Sequence, residues 1–330
     1  MTHQTLSLPV HSPSPLADRS VVHPAQAWNA AAETLRLKIR TIAVPLDGTV
    51  VAEHALPHAL AIARRSGAAL RLIHAYSGLE SIDLGLGLKQ SDRDKQQYLV
   101  EVARRVARVD NVPIETVLLN SSDTVEALAR GALGADLVVL ASRRRGLASR
   151  LWSNSTFDAL RKRLPVPLQL ARGHSSPADL TADPLPRHIL VPLDGSILSQ
   201  SILEHAATFG QLEGATLTLL NIQNEEWTRG FFEHTNPQDY LRTVLRTLRE
   251  DSSFVEAHVI TTDRSPAQAI ATFAEQNDID MIALATRADG GLSRLMRGSI
   301  ADALIRQTNL PVLVRNFDDR PQRRELTTVS

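Results

Sequence analysis

The chain of 330 residues contains no cysteine, which excludes disulfide bonds, thiolate catalysis and cysteine-ligated metal centres. It also lacks a net charge, because 36 Lys and Arg residues balance 36 Asp and Glu residues. Proteins that bind nucleic acid by neutralising phosphates carry an excess of basic residues, so DNA and RNA are not expected partners. Aromatic residues make up only 4% of the sequence, and aliphatic side chains must therefore fill the core.

Long apolar runs are also missing. The sequence has no stretch that approaches the roughly 18 apolar residues of a membrane-spanning helix. There is no Lys or Arg before Arg19, and the short apolar stretch from Leu6 to Val10 is interrupted by Ser7 and Pro9, unlike a signal peptide. These observations predict a cytoplasmic protein without a membrane partner.

One pattern occurs twice along the chain. The segment 41–49, Thr-Ile-Ala-Val-Pro-Leu-Asp-Gly-Thr, recurs at 188–196 as His-Ile-Leu-Val-Pro-Leu-Asp-Gly-Ser. Further matches follow in the same order: 70–74 with 217–221, 98–99 with 240–241, 135–142 with 279–286, and 164–166 with 310–312. Collinear matches of this kind indicate a duplicated domain.

Within each copy, short runs of Val, Ile and Leu alternate with longer segments of helical periodicity. Such runs are typical of parallel strands that are covered on both faces. We therefore predict two tandem doubly wound α/β domains, each with a five-stranded, mostly parallel sheet flanked by helices. The predicted strands are 39–46, 69–75, 113–119, 136–141, 166–171, 187–193, 216–222, 255–261, 280–285 and 311–315. The helices predicted for the first copy are 50–66, 91–109, 122–133 and 153–163.

These elements divide the chain into domains at 39–172 and 186–316. Each domain ends in an apolar strand with an unpaired edge, so the two are expected to pack as an internal pseudo-dimer. The other segments are an N-terminal extension, 1–38, expected to be partly disordered with a helix over 25–38, a linker, 173–185, and a flexible tail, 317–330.

The candidate site residues lie where the first, second and fourth strands of each domain end. Ligands in doubly wound sheets bind beyond the carboxyl ends of the strands, where strand order reverses. The turns after the two first strands contain Asp47, Gly48, Pro192, Asp194 and Gly195. In the second copy, the loop after the fourth strand is rich in small residues and ends with Gly298 and Ser299 at a helix start, which favours a phosphate chain.

The Val-Pro-Leu-Asp-Gly turn, the loop after the fourth strand and the closing Pro-Val strand resemble those of a tandem universal stress protein. The resemblance covers both repeats. It implies an adenine-nucleotide-alpha-hydrolase-like fold that binds ATP, ADP or AMP with magnesium. It also implies self-association through the last strands, both within the chain and between two chains.

Nucleotide-binding members of this family carry a loop of the form Gly-x-x-Gly, nine residues, then Gly-Ser or Gly-Thr. In the second copy, the three glycine positions and the hydroxyl position hold Ala285, Ala288, Gly298 and Ser299. In the first copy, they hold Ala141, Arg144, Asn154 and Ser155. The resemblance therefore implies nucleotide binding mainly in the second domain, with a degenerate site in the first. Further contacts implied by the resemblance involve Ile222, Thr286, Arg287, Ile300 and, in the first domain, Ala75.

Several of these residues have a second interpretation. Asp47 and Asp194 are also suited to accept hydrogen bonds within their own turns, and Ser155 and Ser299 are suited to cap helices. Alanine in place of a loop glycine with positive φ costs about 1–2 kcal/mol, or about tenfold in affinity. If φ is negative, the cost of the alanine comes only from crowding of the phosphates by its Cβ atom.

A metal site is not predicted. His54 and His58 have the i, i+4 spacing that can place two imidazoles on one metal ion. However, the sequence supplies no evident third ligand, and Pro57 interrupts the turn between them. No catalytic residue is assigned either, because His74 and His188 have no evident nucleophilic partner.

Three functions fit these observations. The first is a stress-response regulatory protein that binds an adenine nucleotide without turnover. The alternative is a stress-associated scaffold or dimerisation protein without a nucleotide. The third, an ATP-hydrolysing or adenylating enzyme, ranks last because the turn after the first strand is not a Ser-Gly-Gly loop and no acidic metal cluster is visible.

Overall fold

The computed structural model describes residues 2–5, 37–77, 90–143, 154–224, 236–249, 254–287 and 299–317. The strands in these ranges are β1 (Thr2–Thr5), β2 (Thr41–Pro45), β3 (Ala69–Tyr76), β4 (Ile114–Asn120), β5 (Leu137–Arg143), β6 (Leu168–Gly173), β7 (His188–Pro192), β8 (Thr216–Gln223), β9 (Val255–Thr261), β10 (Met281–Arg287) and β11 (Val312–Phe317). The helices are α1 (Val50–Glu53), α2 (Ala55–Ser66), α3 (Gln90–Val109), α4 (Thr124–Gly131), α5 (Asn154–Arg163), α6 (Ile197–Gln200), α7 (Leu203–Glu213), α8 (Pro237–Arg249), α9 (Pro266–Gln276) and α10 (Ser299–Gln307).

All these strands form one sheet in the order β1-β9-β8-β7-β10-β11-β6-β5-β2-β3-β4. The first domain contributes β2–β6 and the second domain β7–β11, and within each domain neighbouring strands are parallel. The last strands, β6 and β11, pair antiparallel, with Leu168 opposite Val314 and Leu170 opposite Val312. The predicted fold class and the internal pseudo-dimer are therefore confirmed.

Helices cover both faces of the sheet, as the apolar strands predict. Along β2, Ile42 and Val44 point into one core cluster and Ala43 into the other, and all three are fully buried. The first cluster includes apolar residues of α2, α3, α7 and α8. The second includes residues of α4, α5, α9 and α10. Each strand thus buries both of its faces, which explains why its apolar residues are consecutive rather than alternating.

The helix predicted over 50–66 is not continuous. It consists of α1 and α2, with His54 between them. The second domain has the same break between α6 and α7, although no proline follows it there. The break is therefore a feature of the repeated fold, and Pro57 alone does not account for it.

The N-terminus contributes a strand that the sequence analysis did not predict. Residues Thr2–Thr5 pair antiparallel with β9, with Thr2 opposite Thr261. Of the helix predicted over 25–38, residues 25–36 lie outside the described part of the chain, and Leu37 and Lys38 belong to no helix. None of the helices in the described part is long and apolar enough to cross a membrane.

The linker runs along α2 of the first domain. The Arg64 guanidinium donates a hydrogen bond to the carbonyl oxygen of Leu180 at 3.1 Å. The neighbouring Arg65 pairs with the carboxylate of Asp183, with 3.0 Å between Nη1 and Oδ1. These contacts hold the connection between the domains against the surface of the first one.

Candidate functional site

The candidate site lies beyond the carboxyl ends of β7 and β10. These strands are adjacent and parallel, with Ile189 opposite Met281. The chain that leaves β7 enters α6 and α7, and Leu203 of α7 packs in one core cluster. The helix that follows β10 is α10, and its Leu304 packs in the cluster on the opposite face. Because the two connections diverge to opposite faces, they open a crevice at this edge of the sheet.

The turn after β7 is held by the Asp194 side chain. Its Oδ1 accepts hydrogen bonds from the backbone N–H of Ser196 at 2.9 Å and from the Ser196 hydroxyl at 2.6 Å. Ser196 in turn caps α6, since its Oγ accepts from the N–H of Ser199 at 3.1 Å. Gly195 has φ of 88°, a conformation that disfavours a residue with a side chain. One carboxylate oxygen of Asp194 therefore stabilises the turn by accepting both of these hydrogen bonds.

The turn after β2 repeats this geometry in the first domain. Asp47 Oδ1 accepts from the N–H of Thr49 at 2.9 Å and from its hydroxyl at 2.6 Å. Gly48 has φ of 84°. In both domains the turn itself requires the aspartate and the glycine. The turn also places the carboxylate at the crevice, but its hydrogen bonds are no evidence that it contacts a ligand.

Polar side chains connect this turn with the end of the second strand in the second domain. Asn221 of β8 is fully buried, and its Nδ2 donates to the carbonyl oxygen of Leu193 at 2.7 Å. Gln223 donates to the Oδ1 of Asn221. Ile222, which lies between them, is half-buried and packs against the α9 and α10 side of the sheet.

The corresponding positions of the first domain carry aromatic rings. His74 occupies the position of Asn221, and Tyr76 that of Gln223. The ring centroid of His74 lies 5.9 Å from that of Tyr98 on α3. Ala75, between the two aromatic residues of β3, is half-buried. The end of this second strand is therefore bulkier and less amide-rich than its counterpart.

A second carboxylate lies beside the first domain's turn. Glu53 is 9% exposed, and its Oε1 accepts from the Tyr98 hydroxyl at 3.2 Å. Its Oε2 lies 2.7 Å from Nη2 of Arg105. Burial raises the pKa of Tyr98, and the charges of Glu53 and Asp47 raise it further. The crevice of the first domain thus holds two acidic groups that both act on Tyr98, and one of them is paired with Arg105.

The second domain replaces this carboxylate with an amide. Gln200 occupies the position of Glu53 and is 2% exposed. It lies beside the hydroxyl of Tyr240, whose pKa is raised by burial and then by the charge of Asp194. One acidic group, Asp194, therefore remains at this turn where the first domain has two.

The end of β10 and the start of α10 form the other wall of the crevice. Ala285 is half-buried in β10, opposite Arg315 of β11. Among the described residues, Asp278 is the only non-glycine with positive φ, so neither Ala285 nor Ala141 is strained. Ile300 packs on the core from the first turn of α10.

Other predicted residues can be placed only in part. The backbone of Arg287 ends β10, Ser299 begins α10, and Asn154 and Ser155 begin α5. The predicted contacts of Arg144, Ala288 and Gly298 lie outside the described residues.

An arginine from the first domain reaches this wall, and no sequence pattern indicated this contact. Arg161 of α5 is 2% exposed, and its Nη1 donates to the Thr286 hydroxyl at 2.7 Å. Its Nη2 lies 4.0 Å from the Oδ1 of Asp302 in the first turn of α10. In the sequence, Arg161 is the first of three consecutive basic residues, a run that normally indicates a solvated helix end.

The two histidines with metal-ligand spacing contact separate partners. His54 Nε2 lies 2.9 Å from the carbonyl oxygen of Ser176, and His58 Nδ1 lies 3.3 Å from Nε2 of Gln169. Within the described residues, no group of three His, Asp or Glu side chains is placed to hold a metal ion. Their positions are explained by contacts with the linker and with β6.

Two tandem doubly wound domains that share one sheet, each with an Asp-Gly turn at its crevice, define a duplicated protein of the adenine-nucleotide-alpha-hydrolase-like class. The sequence model of the universal stress protein family matches residues 38–172 and again residues 186–315. The chain therefore belongs to the universal stress protein family and contains two such domains.

Individual relatives agree with this assignment. A universal stress protein of Methanocaldococcus jannaschii is 27% identical over 139 residues, which cover 39% of this chain and 81% of the relative. One from Thermus aquaticus is 29% identical over 138 residues, covering 40% and 98%. Among solved structures, a universal stress protein from Archaeoglobus fulgidus superposes with a TM-score of 0.66 at 18% identity, covering 87% of this chain and 99% of that one. At this identity the likeness shows the fold alone.

Proposed function

We propose that this tandem universal stress protein is a stress-response regulator that binds an adenine nucleotide in its second domain. The observation that carries the proposal is the crevice between β7 and β10, where the connections diverge and α10 begins at Ser299. Backbone N–H groups and the positive end of the helix dipole at such a position stabilise phosphate. The ligand expected there is ATP, ADP or AMP.

Charge supports the second domain as the binding domain. A polyanion is repelled by nearby carboxylates, but Arg105 offsets the charge of Glu53 in the first crevice, so the two turns differ little in net charge. The second crevice keeps Asp194 but has the neutral Gln200 in place of the other acid. Arg161 adds a buried positive charge at the end of β10.

The residues also fit the nucleoside part of the ligand. Amide side chains such as Gln223 both donate and accept hydrogen bonds, which suits a base or a ribose. Magnesium, when bound with ATP, would supply charge neutralisation on the phosphates and prefers oxygen ligands. We infer a regulatory role in which occupancy changes the shape or the associations of the protein rather than driving a reaction.

A scaffold function is the second candidate. It is favoured by the continuous sheet through β6 and β11, which makes the first domain a structural partner of the second whether or not a ligand binds. Both edges of β6 and β11 are occupied within the chain. A dimer of whole chains would therefore need another surface than the last strands.

Calorimetry with ATP and magnesium on the full chain tests the proposal. We expect a Kd in the micromolar to millimolar range and one nucleotide per chain. Asp194→Ala should weaken binding because it disturbs the turn at the second crevice, whereas the matched variant Asp47→Ala should leave the affinity unchanged. Absence of both heat and thermal stabilisation at several millimolar ATP would favour the scaffold.

A further inference from the structure

We propose that the outer edge of β4 is an interaction surface that pairs antiparallel with β4 of a second copy of this chain. The sheets of the two copies are then continuous. This inference goes beyond the proposed function, and it does not depend on whether a nucleotide binds.

The two ends of the shared sheet occupy equivalent positions of the repeated fold and differ in what lies beside them. In the second domain, β9 pairs with β8 on one side and with the N-terminal strand β1 on the other. In the first domain, β4 pairs with β3, and no other strand of the described residues lies beyond it. Each chain thus has two equivalent edge positions, and its strand β1 covers one of them.

Burial along the two strands agrees with this difference. Both strands have seven residues, and five positions that are buried in β9 are half-buried in β4. The half-buried residues of β4 include the consecutive apolar residues Val117, Leu118 and Leu119. An open edge presents N–H and C=O groups that can pair with another chain, and native proteins usually protect such edges. The apolar run makes β4 suited to pairing rather than to exposure.

The covered edge shows which kind of partner fits. The strand β1 runs antiparallel to β9, with Thr2 opposite Thr261 and Thr5 opposite His258. An antiparallel strand therefore fits at this position of the fold, between the helix layers on the two faces of the sheet. Because β1 is already paired, the strand that remains open on each copy is β4 itself. Pairing between two copies then covers both open edges and sacrifices no existing strand pair.

The sequence of β4 is compatible with pairing to its own copy. In a symmetric pair of identical antiparallel strands, one residue lies opposite itself on the two-fold axis. With Val117 on the axis, all seven residues of β4 have a partner, and Glu115 lies opposite Leu119. Like charges directly opposite each other are destabilising, and this register avoids them. Arg71 of β3 pairs with Glu115 within the same copy, with 2.8 Å between Nε and Oε2.

This edge also supplies a surface that the last strands cannot. Both edges of β6 and of β11 are occupied within the chain. A dimer formed through β4 leaves the joint between the two domains unchanged. The crevices beyond β7 and β10 lie in the interior of the sheet, away from this edge.

Analytical ultracentrifugation of the full chain over a range of concentrations tests the proposal. We expect a reversible dimer with a Kd in the micromolar range, because one strand pair forms an interface smaller than about 1,200 Å². Val117→Lys should weaken the dimer about tenfold, since it places two like charges opposite each other on the axis. Val117→Glu should weaken it for the same reason.

Mixing the two variants distinguishes a contact at the edge from a general loss of structure. Chains with Val117→Lys and chains with Val117→Glu should form a heterodimer, because opposite charges then lie across the axis. Ile197→Lys is the control, since Ile197 is 61% exposed in the second domain and the change in charge is the same. It should alter the dimer Kd by less than about twofold. Thermal melting establishes that each variant is folded.

Hydrogen exchange on the wild-type chain provides a measurement that requires no substitution. Raising the concentration through the dimer Kd should slow amide exchange in β4 and leave exchange in β1 and β9 unchanged. Slower exchange in β1 or β9 instead of β4 would overturn the proposal, because another strand would then form the contact. A wild-type chain that stays monomeric, a dimer that both Val117 variants leave unchanged, or folded variants that do not associate when mixed would also overturn it. None of these results bears on ATP binding, which calorimetry tests separately.

Discussion

The two domains have the same strand order and the same turn, yet their crevices differ in buried ion pairing and in bulk. Both turns place a glycine at positive φ, Gly48 and Gly195, and both hold an aspartate by hydrogen bonds from the next hydroxyl residue. Beside this shared turn, the first domain has Glu53, paired with Arg105, where the second has Gln200. The comparison teaches that the turn maintains the fold, while the residues beside it differ: the first domain buries an ion pair where the second has two neutral side chains.

The compensation of the buried acid is also specific to the first domain. Arg105 neutralises Glu53 from α3, and the corresponding position on α8 holds Thr247, which is buried. Substitutions that exchange Glu53 and Gln200 between the domains therefore test whether each domain tolerates the side chain of the other.

The largest effect should follow from Gln200→Glu. This change buries a carboxylate near Asp194, where Thr247 occupies the position of Arg105. Burying an uncompensated charge costs several kcal/mol, so the free energy of unfolding should fall by about 3 kcal/mol. Urea denaturation at neutral pH measures it. A loss below about 1 kcal/mol would mean that the second crevice tolerates negative charge.

The reverse change, Glu53→Gln, should have a smaller effect. It removes the charge partner of Arg105, but that arginine is 35% exposed at its side chain and remains partly hydrated. The free energy of unfolding should fall by about 1–2 kcal/mol. Glu115→Gln is the control, because it removes the exposed partner of Arg71 and should change stability by less than about 0.5 kcal/mol. Equal losses in both variants would contradict the buried role of Glu53.

Two equivalent histidines make the joint between the domains sensitive to pH. Burial, aided by His54, lowers the pKa of His58 to about 4, and burial, aided by Arg315, lowers that of His205 to about 3. Because the unfolded chain takes up these protons near pH 6.5, their contribution to stability is present above that pH. It is lost as the pH falls toward 4 and then 3.

The variant His205→Gln isolates one of these protons. Between pH 6.5 and 5, the stability of the variant should fall less steeply than that of the wild type, by up to about 1.4 kcal/mol per pH unit. Urea denaturation at a series of pH values gives both slopes. Identical slopes would show that His205 is protonated in the folded protein.

The smallest effect should follow from Ala285→Gly. Since Ala285 lies in β10 without positive φ, restoring the glycine relieves no backbone strain. We expect ATP affinity to increase by less than about threefold, through reduced crowding by the Cβ atom alone. A gain of tenfold or more in calorimetry would show that this alanine, rather than local charge, limits binding.

Much of the fold could be predicted because it depends on local patterns. Consecutive apolar residues such as Ile42, Ala43 and Val44 indicate a strand buried on both faces, and the repeat fixes the number of strands in each domain. The short strand β1 was missed, because Thr2–Thr5 have no apolar pattern and depend on pairing with β9. Pairing with a strand that is distant in the sequence produces no local sequence pattern.

Only the part of the candidate site that is formed by recognisable turn motifs could be predicted from the sequence. Asp194 and Gly195 belong to a recognisable motif, so their place at the crevice was predictable. Arg161 was not, because its role depends on the antiparallel joint of β6 and β11, which brings α5 to the other domain. The buried pair of Glu53 and Arg105 was also missed, since nothing in the helical pattern of residues 50–66 distinguishes Glu53 from a surface acid.

The most direct test of the account is a crystal structure of the full chain grown with ATP and magnesium. The account predicts one nucleotide per chain, with its phosphates at the start of α10, its base near the end of β8, and the crevice of the first domain without nucleotide. A nucleotide bound in the first domain instead, or side chains filling the second crevice despite abundant ATP, would contradict it.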